Sequence, residues 1–355
     1  MDYIEISGYK SIKHARVDLN PVNLLIGANG SGKSNFLSFF DFLNRLYNRK
    51  LNDYIELYGG GENKILHKGK KTTEEISFRV EFDNGNNGYS ATLTSGTNGF
   101  IFTSEKLIYK SDDGKDISQS ERESRLKIVD TYRSKYIIKY LNRFRKYHFH
   151  DTSRTSSFTN PSHIENDISY LYNDGSNIAA FLYDINQNHK VVYNFILKII
   201  QSIAPYFSDF YFDPNNDNYV RLLWTDKYSD VSYGATDLSD GTLRFIALVV
   251  LFMQPDLPDT IIIDEPELGL HPTAIAKLAG MIKSVAAKGC QVIIATQSTD
   301  LISHFRPEDI ITVDQIDGES KFERLDEDVL HQWLEDYTID DLWKRNIIAT
   351  GQPNF

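Results

Sequence analysis

Cysteine is almost absent from this chain of 355 residues, and Cys290 is the single example. One cysteine excludes a disulfide within the chain and is typical of proteins in a reducing compartment. The stretch GCQVIIAT places Cys290 at the mouth of a buried strand, which favours a structural role over thiol catalysis. No apolar run approaches the roughly 18 residues that a membrane helix needs. The charged start, MDYIEISGYKS, resembles neither a signal peptide nor a transit peptide, so we expect a cytoplasmic protein.

Acidic residues outnumber basic ones by 49 to 38, which gives a net charge of −11, but basic residues are concentrated in one segment. Residues 122–154 contain ten Lys or Arg and three acids, with six aromatic residues interleaved. This pattern suits a nucleic-acid face, so DNA is a possible partner there. It equally suits an amphipathic helix with buried aromatics and solvated lysines. The sequence leaves both interpretations open.

The chain shows neither internal repeats nor low-complexity tracts, and its pattern of apolar residues changes along its length. Short alternating runs before residue 110 predict antiparallel strands and hairpins, whereas 49–75 is polar and predicts a loop. Near-continuous apolar strands after 240 predict a parallel sheet covered on both faces. We therefore predict an α/β core built from both ends of the chain. The predicted segments are 1–110 and 206–305 for the core, 111–205 for an inserted, mainly helical lobe, and 306–355 for a tail with strand and helix.

GANGSGKS (27–34), the phosphate loop, fits G-x-x-x-x-G-K-[S/T] in full. It follows an apolar strand and precedes a helical pattern, which is the context that supports the motif. Glycines let backbone N–H groups converge on phosphate oxygens, and the helix N-terminus adds partial positive charge. Lys33 would reach the β- and γ-phosphates of ATP, and the Ser34 hydroxyl would ligate Mg²⁺.

TIIIDEPELGLHP (260–272) ends an apolar strand with two adjacent carboxylates. Unpaired carboxylates beside a core are costly, so the pattern favours a functional pair. Asp264 suits Mg²⁺, directly or through water, and Glu265 suits the general base that activates water. His271 follows, and as a lone histidine it is either structural or a second polar contact.

LSDGTLRF (238–245), the signature segment, reads as a turn followed by a helix that Ser239 can cap. A capped helix N-terminus is also an anion site, so the two roles are compatible. YHFHDTS (147–153) brings His148 and His150 to one face of a strand, but no further His or Cys cluster supports a metal site. A structural loop, or a contact near the nucleotide or a partner, is the better interpretation.

The ordered set GANGSGKSN, LSDGTLRF, IIIDEPELGLHP and IIATQS resembles an ABC-type ATPase head of the RecF, Rad50, SMC and OLD-like branch, and GYKSI at 8–12 fits that branch. The resemblance is strong over roughly 1–100 and 205–305. It implies an ABC ATPase head with a mixed, largely parallel sheet around the phosphate loop and an N-terminal antiparallel β subdomain. It also implies ATP and Mg²⁺ as cofactors.

The resemblance further implies a homodimer in which two heads pack head-to-tail around two ATP molecules. The signature Ser239 and the Gly241 N–H would then bind the γ-phosphate held by the other chain. The residues implied to bind nucleotide are Asn29, Gly30, Ser31, Gly32, Lys33, Ser34, Asn35, Ser239 and Gly241, with Ser34 and Asp264 for the metal and Glu265, Lys33 and Gln297 for catalysis. Gln297 stands where such heads usually carry a histidine; it can donate a hydrogen bond but cannot become cationic, so hydrolysis is expected to be slow.

Two functions compete. Three stretches of the middle and tail resemble stand-alone bacterial ATPases: YHFHDTS (147–153), DGSNIAAFL (174–182) and WLEDYTIDDLWKRN (333–346). Some of those ATPases are encoded beside nucleases or TOPRIM-like proteins in phage-defence loci. The resemblance therefore implies an ATP-dependent switch that acts on a separate effector, a nuclease, in anti-phage defence. The alternative is a RecF-like DNA-repair ATPase that binds DNA directly. No long heptad tract is present, which excludes an SMC or Rad50 coiled-coil arm.

Overall fold

The computed structural model describes residues 1–57, 60–96, 99–110, 114–153, 155–334, 336–345 and 348. It divides into two compact units: Met1–Phe144 with Ile293–Phe355 form the first, and Arg145–Val292 form the second. Arg154 of the basic segment lies outside the described residues, as do residues 97–98 of a predicted hairpin turn and 346–347 of the predicted tail helix. The four-segment division of the core, lobe and tail stays a prediction.

Strands outnumber helices among the described residues. In chain order, the strands are β1 (Tyr3–Tyr9), β2 (Ile12–Asp18), β3 (Val22–Ile26), β4 (Glu75–Phe82), β5 (Asn87–Gly96), β6 (Gly99–Tyr109), β7 (Lys115–Asp116), β8 (Phe144–Tyr147), β9 (Ser162–His163), β10 (Phe207–Tyr211), β11 (Tyr219–Val220), β12 (Leu223–Asp226), β13 (Ser232–Gly234), β14 (Thr260–Asp264), β15 (Gln291–Thr296), β16 (Ile310–Ile316) and β17 (Glu319–Arg324). The helices are α1 (Lys33–Tyr47), α2 (Leu51–Leu57), α3 (Glu62–Ile65), α4 (Tyr132–Leu141), α5 (Ile178–Asn188), α6 (Lys190–Gln201), α7 (Asp240–Met253), α8 (Pro272–Ala287), α9 (Thr299–Ile302), α10 (Glu327–Leu334) and α11 (Ile339–Lys344).

In the first unit, six strands form an antiparallel sheet in the order β2-β1-β4-β5-β6-β7. Among the short alternating runs, GFIFTS and KLIYK each predict a separate strand, but the structure joins them in the single strand β6. The pairing of β5 with β6 shifts between Thr92 and Leu93, so Thr103 is an extra residue in a bulge. The bulge and the buried Glu105 interrupt the alternation of apolar residues, which made one strand look like two.

The prediction of a loop over 49–75 was wrong in part, because α2 and α3 lie within it. Leu51, Ile55 and Ile65 are buried on these short helices. Each helix contributes few apolar residues, so the sequence periodicity is too short to detect. Long-range contacts support them instead: the backbone N–H groups of Leu51 and Asn52 both donate to the Glu123 carboxylate, at 3.3 and 3.2 Å.

Helix α1 is held in the first unit by aromatic rings on both sides. Phe39 contacts Tyr9 of β1 and Phe78 of β4, with ring centroids 5.2 and 5.5 Å apart. Phe36 contacts Phe322 of β17 at 5.2 Å. Strand β17 begins the order β17-β16-β3-β15, in which β16 runs parallel to β3. The helix that follows the phosphate loop is thus anchored to both sheets of its unit.

The second unit contains the small sheet β10-β12-β13, the pair β11-β9, and the neighbouring strands β14 and β8. The apolar pattern over 175–207 predicts two helices, and the structure has α5 and α6 there. Helix α7 is buried from Leu243 to Phe252 along nearly its whole length, as expected for an apolar helix inside a core. The predicted tail helix is divided into α10 and α11. Among the described residues, none of the helices combines the length and apolar character required to cross a bilayer.

Replacing Phe39 with alanine should lower the free energy of unfolding by about 3–5 kcal/mol, because the substitution leaves a cavity among packed rings. Urea unfolding of the full chain measures this change. The control is Phe195→Ala, which removes a ring that is 54% exposed and should have little effect. Equal effects from the two substitutions would contradict the role assigned to the α1 aromatic contacts.

Candidate functional site

The phosphate loop connects the fully buried strand β3 to α1. Lys33 is 6% exposed, and its ammonium group donates hydrogen bonds to the carbonyls of Gly27 and Ala28, at 2.7 and 2.9 Å. The Lys33 side chain therefore lies along the inside of the loop, with its charge among backbone groups. Gly32 has φ 113°, and a side chain there would collide with Ser320. Both features hold the loop in a curled conformation.

Two observations test whether this loop fits a triphosphate. The Ser31 hydroxyl is buried, and it has no hydrogen-bond partner among the described residues. Helix α1, which is 15 residues long, has no side chain capping its N-terminus. A buried polar atom without a partner is costly unless something binds it. The loop therefore fits a phosphate group, with oxygens that accept from Ser31 and from the α1 N-terminus.

The carboxylates Asp264 and Glu265 lie at the end of β14, where the chain leaves a buried strand. Both side chains are half-buried. Glu265 has φ 41°, a left-handed conformation that costs a non-glycine residue about 1–3 kcal/mol. A turn then follows, in which Leu268 N–H donates to the Glu265 carbonyl at 3.2 Å. The strained backbone is held by this turn, and it fixes the direction in which Glu265 points.

In the signature segment, the structure confirms the predicted helix cap. The Ser239 hydroxyl accepts from the Thr242 N–H at 3.2 Å and lies 2.8 Å from the Thr242 hydroxyl. Ser239 is exposed at the N-terminus of α7. His271 has a corresponding role at α8, where its Nδ1 accepts from the Thr273 N–H at 3.3 Å. Of the two roles that the sequence left open for His271, the structure favours the structural one.

Gln297 follows the buried strand β15, and its amide Nε2 donates to the Asn29 side-chain oxygen at 2.7 Å. The structure therefore brings together two predicted site residues that are 268 positions apart. Asn29 and Gln297 are both exposed, so their polar groups face solvent or a ligand. Asn35, which follows the loop in α1 and is also predicted to bind nucleotide, donates to the Ser11 hydroxyl at 2.8 Å.

A basic cleft of about 420 Å³ lies beside Asn35. Its charged lining consists of Lys10, Lys64 and Lys68. Of these three, only Lys10 lies in a recognised sequence motif, GYKSI. Lys64 and Lys68 come from the region predicted as loop, and no local pattern marked them. The three ammonium groups make this part of the first unit suitable for an anion.

The sequence also missed Arg244, which is 6% exposed within the apolar helix α7. The signal that could have revealed it is a single charge inside LRFIALVVLF. Its guanidinium donates to the carbonyls of Phe149 and His150, both at 3.0 Å, and to that of Leu268. His148 and His150 lie side by side, with ring centroids 4.6 Å apart. The described residues contain no cluster of three or more His, Cys, Asp or Glu that could hold a metal ion.

In the basic segment 122–154, most aromatic side chains pack inside the protein. Tyr140 stacks on Phe82 with ring centroids 3.9 Å apart, and Phe144, Tyr147 and Phe149 are buried. Several basic groups have protein partners, among them Arg145, which lies 4.2 Å from the Tyr170 ring centroid. These contacts favour the amphipathic interpretation for the aromatics. DNA binding by this segment stays a prediction.

Three comparisons with known proteins bear on this site. The family model described as "AAA domain, putative AbiEii toxin, Type IV TA system" matches residues 22–303. A "Putative ABC transporter ATP-binding protein" of Streptomyces coelicolor is 41% identical over 66 residues. That match covers 18% of this chain and only 11% of the relative's length.

Solved structures of SMC heads are similar in fold. One, an SMC head bound to the C-winged helix domain of ScpA, has a TM-score of 0.62 at 16% identity and covers 93% of this chain and 99% of that chain. A second is an Smc head with an extended coiled coil, bound to the C-terminal domain of ScpA derived from Pyrococcus furiosus. Its TM-score is 0.58 at 16% identity, with 94% of this chain and 98% of that chain covered. The predicted ABC ATPase head fold is confirmed.

Replacing Lys33 with methionine should weaken ATP binding by about 10- to 100-fold, because one charge-assisted hydrogen bond is worth about 1.5–3 kcal/mol. Methionine keeps most of the buried stem and removes the charge. Calorimetric titration with Mg-ATP measures the affinity. Lys50→Met, at an exposed lysine, is the matched control. Unchanged affinity in the Lys33 variant would mean that the loop does not bind the nucleotide.

Proposed function

Because the chain belongs to the family described as an AAA domain of type IV toxin–antitoxin systems, with an SMC-head fold, we propose that it binds and hydrolyses ATP and that ATP closes two copies head-to-tail. The observation that carries the proposal is the phosphate loop, with its buried Ser31 hydroxyl lacking a partner among the described residues and its uncapped helix α1. A loop at the start of a long helix suits a triphosphate, because the backbone N–H groups there can bind phosphate oxygens.

Each site residue then has a chemical role. Lys33 neutralises charge on the β- and γ-phosphates, and the loop N–H groups orient them. Ser34 and Asp264 are the residues that would hold Mg²⁺, which would neutralise charge on the β- and γ-oxygens. Glu265 accepts a proton from the water that attacks the γ-phosphorus, and ADP departs as the leaving group. The strained backbone at Glu265 supports this role, since such strain concentrates at functional sites.

Gln297 is the residue that departs from the usual pattern of ABC heads. Its amide donates a hydrogen bond to Asn29, so it is already oriented toward the phosphate loop. A glutamine can position water or a phosphate oxygen but adds no positive charge. We therefore propose that hydrolysis is slow, and that the nucleotide-bound state persists long enough to act as a signal.

The exposed Ser239 supports a dimer. Its hydroxyl caps α7 within its own chain, and the helix N-terminus remains open to solvent. In the proposed dimer, Ser239 and the Gly241 N–H contact the γ-phosphate held by the other copy. Helix α7 has 14 residues, long enough for its dipole to favour an anion there.

We further propose that the closed dimer regulates a separate effector, a nuclease, in anti-phage defence. The family description names a toxin of a toxin–antitoxin system, which supports a role beside a paired protein. The two SMC heads of similar fold are each bound to a domain of ScpA, so a head of this fold can engage another protein. Copurification of the product of an adjacent gene, dependent on ATP, tests this part of the proposal.

Replacing Glu265 with glutamine should trap an ATP-bound dimer, because the amide keeps the shape of the carboxylate but cannot accept the proton. Hydrolysis should fall by about 10²–10⁴-fold, as expected when a general base is removed. Gel filtration with light scattering in Mg-ATP measures the dimer.

Glu74→Gln, at an exposed position of the first unit, controls for the loss of one charge. A Glu265→Gln variant that stays monomeric with ATP bound would contradict the head-to-tail dimer.

Replacing Ser239 with arginine should leave ATP binding by the monomer intact and abolish both dimerisation and hydrolysis. A second variant, Ser239→Asp, separates the two roles of this side chain. Aspartate caps a helix as well as serine does, so stability should hold, but its charge repels the γ-phosphate. Thermal unfolding, ATP titration and light scattering measure the three properties. If both variants still dimerise and hydrolyse ATP, Ser239 is a helix cap alone.

A further inference from the structure

Three polar side chains form a series of hydrogen bonds that ends at the phosphate loop. The Asn35 amide, on α1, donates to the Ser11 hydroxyl at 2.8 Å. The Ser11 and Ser320 hydroxyls lie 2.7 Å apart, and Ser320 donates to the backbone carbonyl of Ser31 at 2.6 Å. All four residues lie within the first unit. The series therefore connects α1, the turn between β1 and β2, and β17 to the loop.

The direction of these bonds follows from the donors and acceptors available. An amide NH₂ group can only donate, and a carbonyl oxygen can only accept. A serine hydroxyl has one proton, and that of Ser320 goes to the Ser31 carbonyl. The Ser11 hydroxyl therefore donates to Ser320 and accepts from Asn35. Hydrogen bonds in such a series polarise one another, so the last bond, to Ser31, depends on the groups before it.

Strand pairing places Ser320 beside the loop. Strand β16 runs parallel to β3, with Thr312 opposite Ile26, the residue before the loop. Strand β17 then returns antiparallel to β16. The Ser320 residue is 1% exposed, and its backbone N–H donates to the Ser11 carbonyl at 2.8 Å. Because both its backbone and its side chain are bonded, the Ser320 hydroxyl is held in one position.

The bond to the Ser31 carbonyl fixes the peptide that joins Ser31 to Gly32. This peptide is trans, so it is planar and its C=O and N–H bonds point in opposite directions. The Gly32 N–H therefore points away from the Ser320 hydroxyl. A side chain at Gly32, where φ is 113°, would collide with Ser320. Glycine at this position is what lets the Ser320 hydroxyl approach the loop so closely.

We propose that Ser320 is a positioning residue of the phosphate loop, that it turns the Gly32 N–H toward the bound phosphates, and that Ser11 and Asn35 act through it. The inference rests on the proposed ATPase function and adds to it. It also gives Asn35 a different role from the one predicted, since Asn35 supports the loop through Ser11 instead of touching the nucleotide. Loop N–H groups of this kind bind the α- and β-phosphates, so the arrangement serves ATP and ADP alike.

The first experiment removes the Ser320 hydroxyl. Ser320→Ala leaves the Ser31 carbonyl without its partner, so the peptide is free to rotate and the Gly32 N–H is no longer aligned. The affinities for Mg-ATP and Mg-ADP should both fall about 5- to 30-fold, as expected when a buried carbonyl loses its donor. Calorimetric titration measures both affinities.

Ser303→Ala is the matched control for this substitution. The Ser303 hydroxyl lies in the same unit and also donates to a backbone carbonyl, that of Asp300, at 2.8 Å. It is exposed, and it should change neither affinity when it is removed.

The second experiment tests whether Ser11 and Asn35 act through Ser320. Ser11→Ala and Asn35→Ala should each lower both affinities by less than Ser320→Ala does, because each leaves the last bond in place but weaker. In the Ser320→Ala background, either substitution should lower the affinities little further, since groups in one network are not additive. If Asn35→Ala lowers affinity by the same factor in both backgrounds, Asn35 touches the nucleotide directly and the role given to it is overturned.

Urea unfolding separates positioning from a purely structural role. If Ser320→Ala lowers the free energy of unfolding but the folded variant keeps both affinities, Ser320 only stabilises the fold and the inference is overturned. A loss confined to ATP would also overturn it. If Ser320→Ala does not fold, Ser11→Ala carries the test, and wild-type affinities in that variant would overturn the inference.

Failure of the proposed function gives a different result. Wild-type protein and the Lys33→Met variant would then bind Mg-ATP equally, whatever the Ser320 variant does. The comparison of affinities needs no turnover, so slow hydrolysis does not prevent the test.

Discussion

The phosphate loop depends on where helix α1 is held. A backbone N–H group that binds phosphate cannot at the same time stabilise the loop by a bond within it, so such a loop needs support from outside. The aromatic contacts of α1 supply the missing constraint, since Phe39 packs on β1 and β4 while Phe36 packs on β17. Such ring pairs add about 0.5–1.5 kcal/mol each beyond the burial of their area. The cradle is rigid because the helix behind it is packed on two sides.

The second unit has a different constraint, which is a charged side chain inside an apolar helix. The Arg244 guanidinium is tolerated inside α7 because three carbonyl oxygens accept its N–H groups. Those carbonyls belong to segments that are far apart in sequence, so satisfying one charge brings the segments together. The same contacts fix the turn after Glu265, whose strained backbone needs support from its surroundings.

The sequence predicted the elements with strong local patterns and missed those without them. The apolar strand and glycine loop at 22–34 needed no tertiary information, because the spacing of the motif itself encodes the anion cradle. The short helices α2 and α3 escaped detection, since their stability comes from contacts such as the one between Glu123 and Leu51. Strand β6 was divided in two because a bulge and the buried Glu105 broke its alternation.

By itself, the sequence determined the chemistry that neighbouring residues can perform: the phosphate loop, the paired carboxylates of β14 and the helix cap at Ser239. Each depends on groups within a few positions of one another, so spacing along the chain is sufficient. Only the tertiary structure decided that Gln297 donates to Asn29 and that Arg244 holds the carbonyl of His150. The partners in these two hydrogen bonds are 268 and 94 residues apart in the sequence. The local pattern of residues around a polar group does not specify which distant group will be its hydrogen-bond partner.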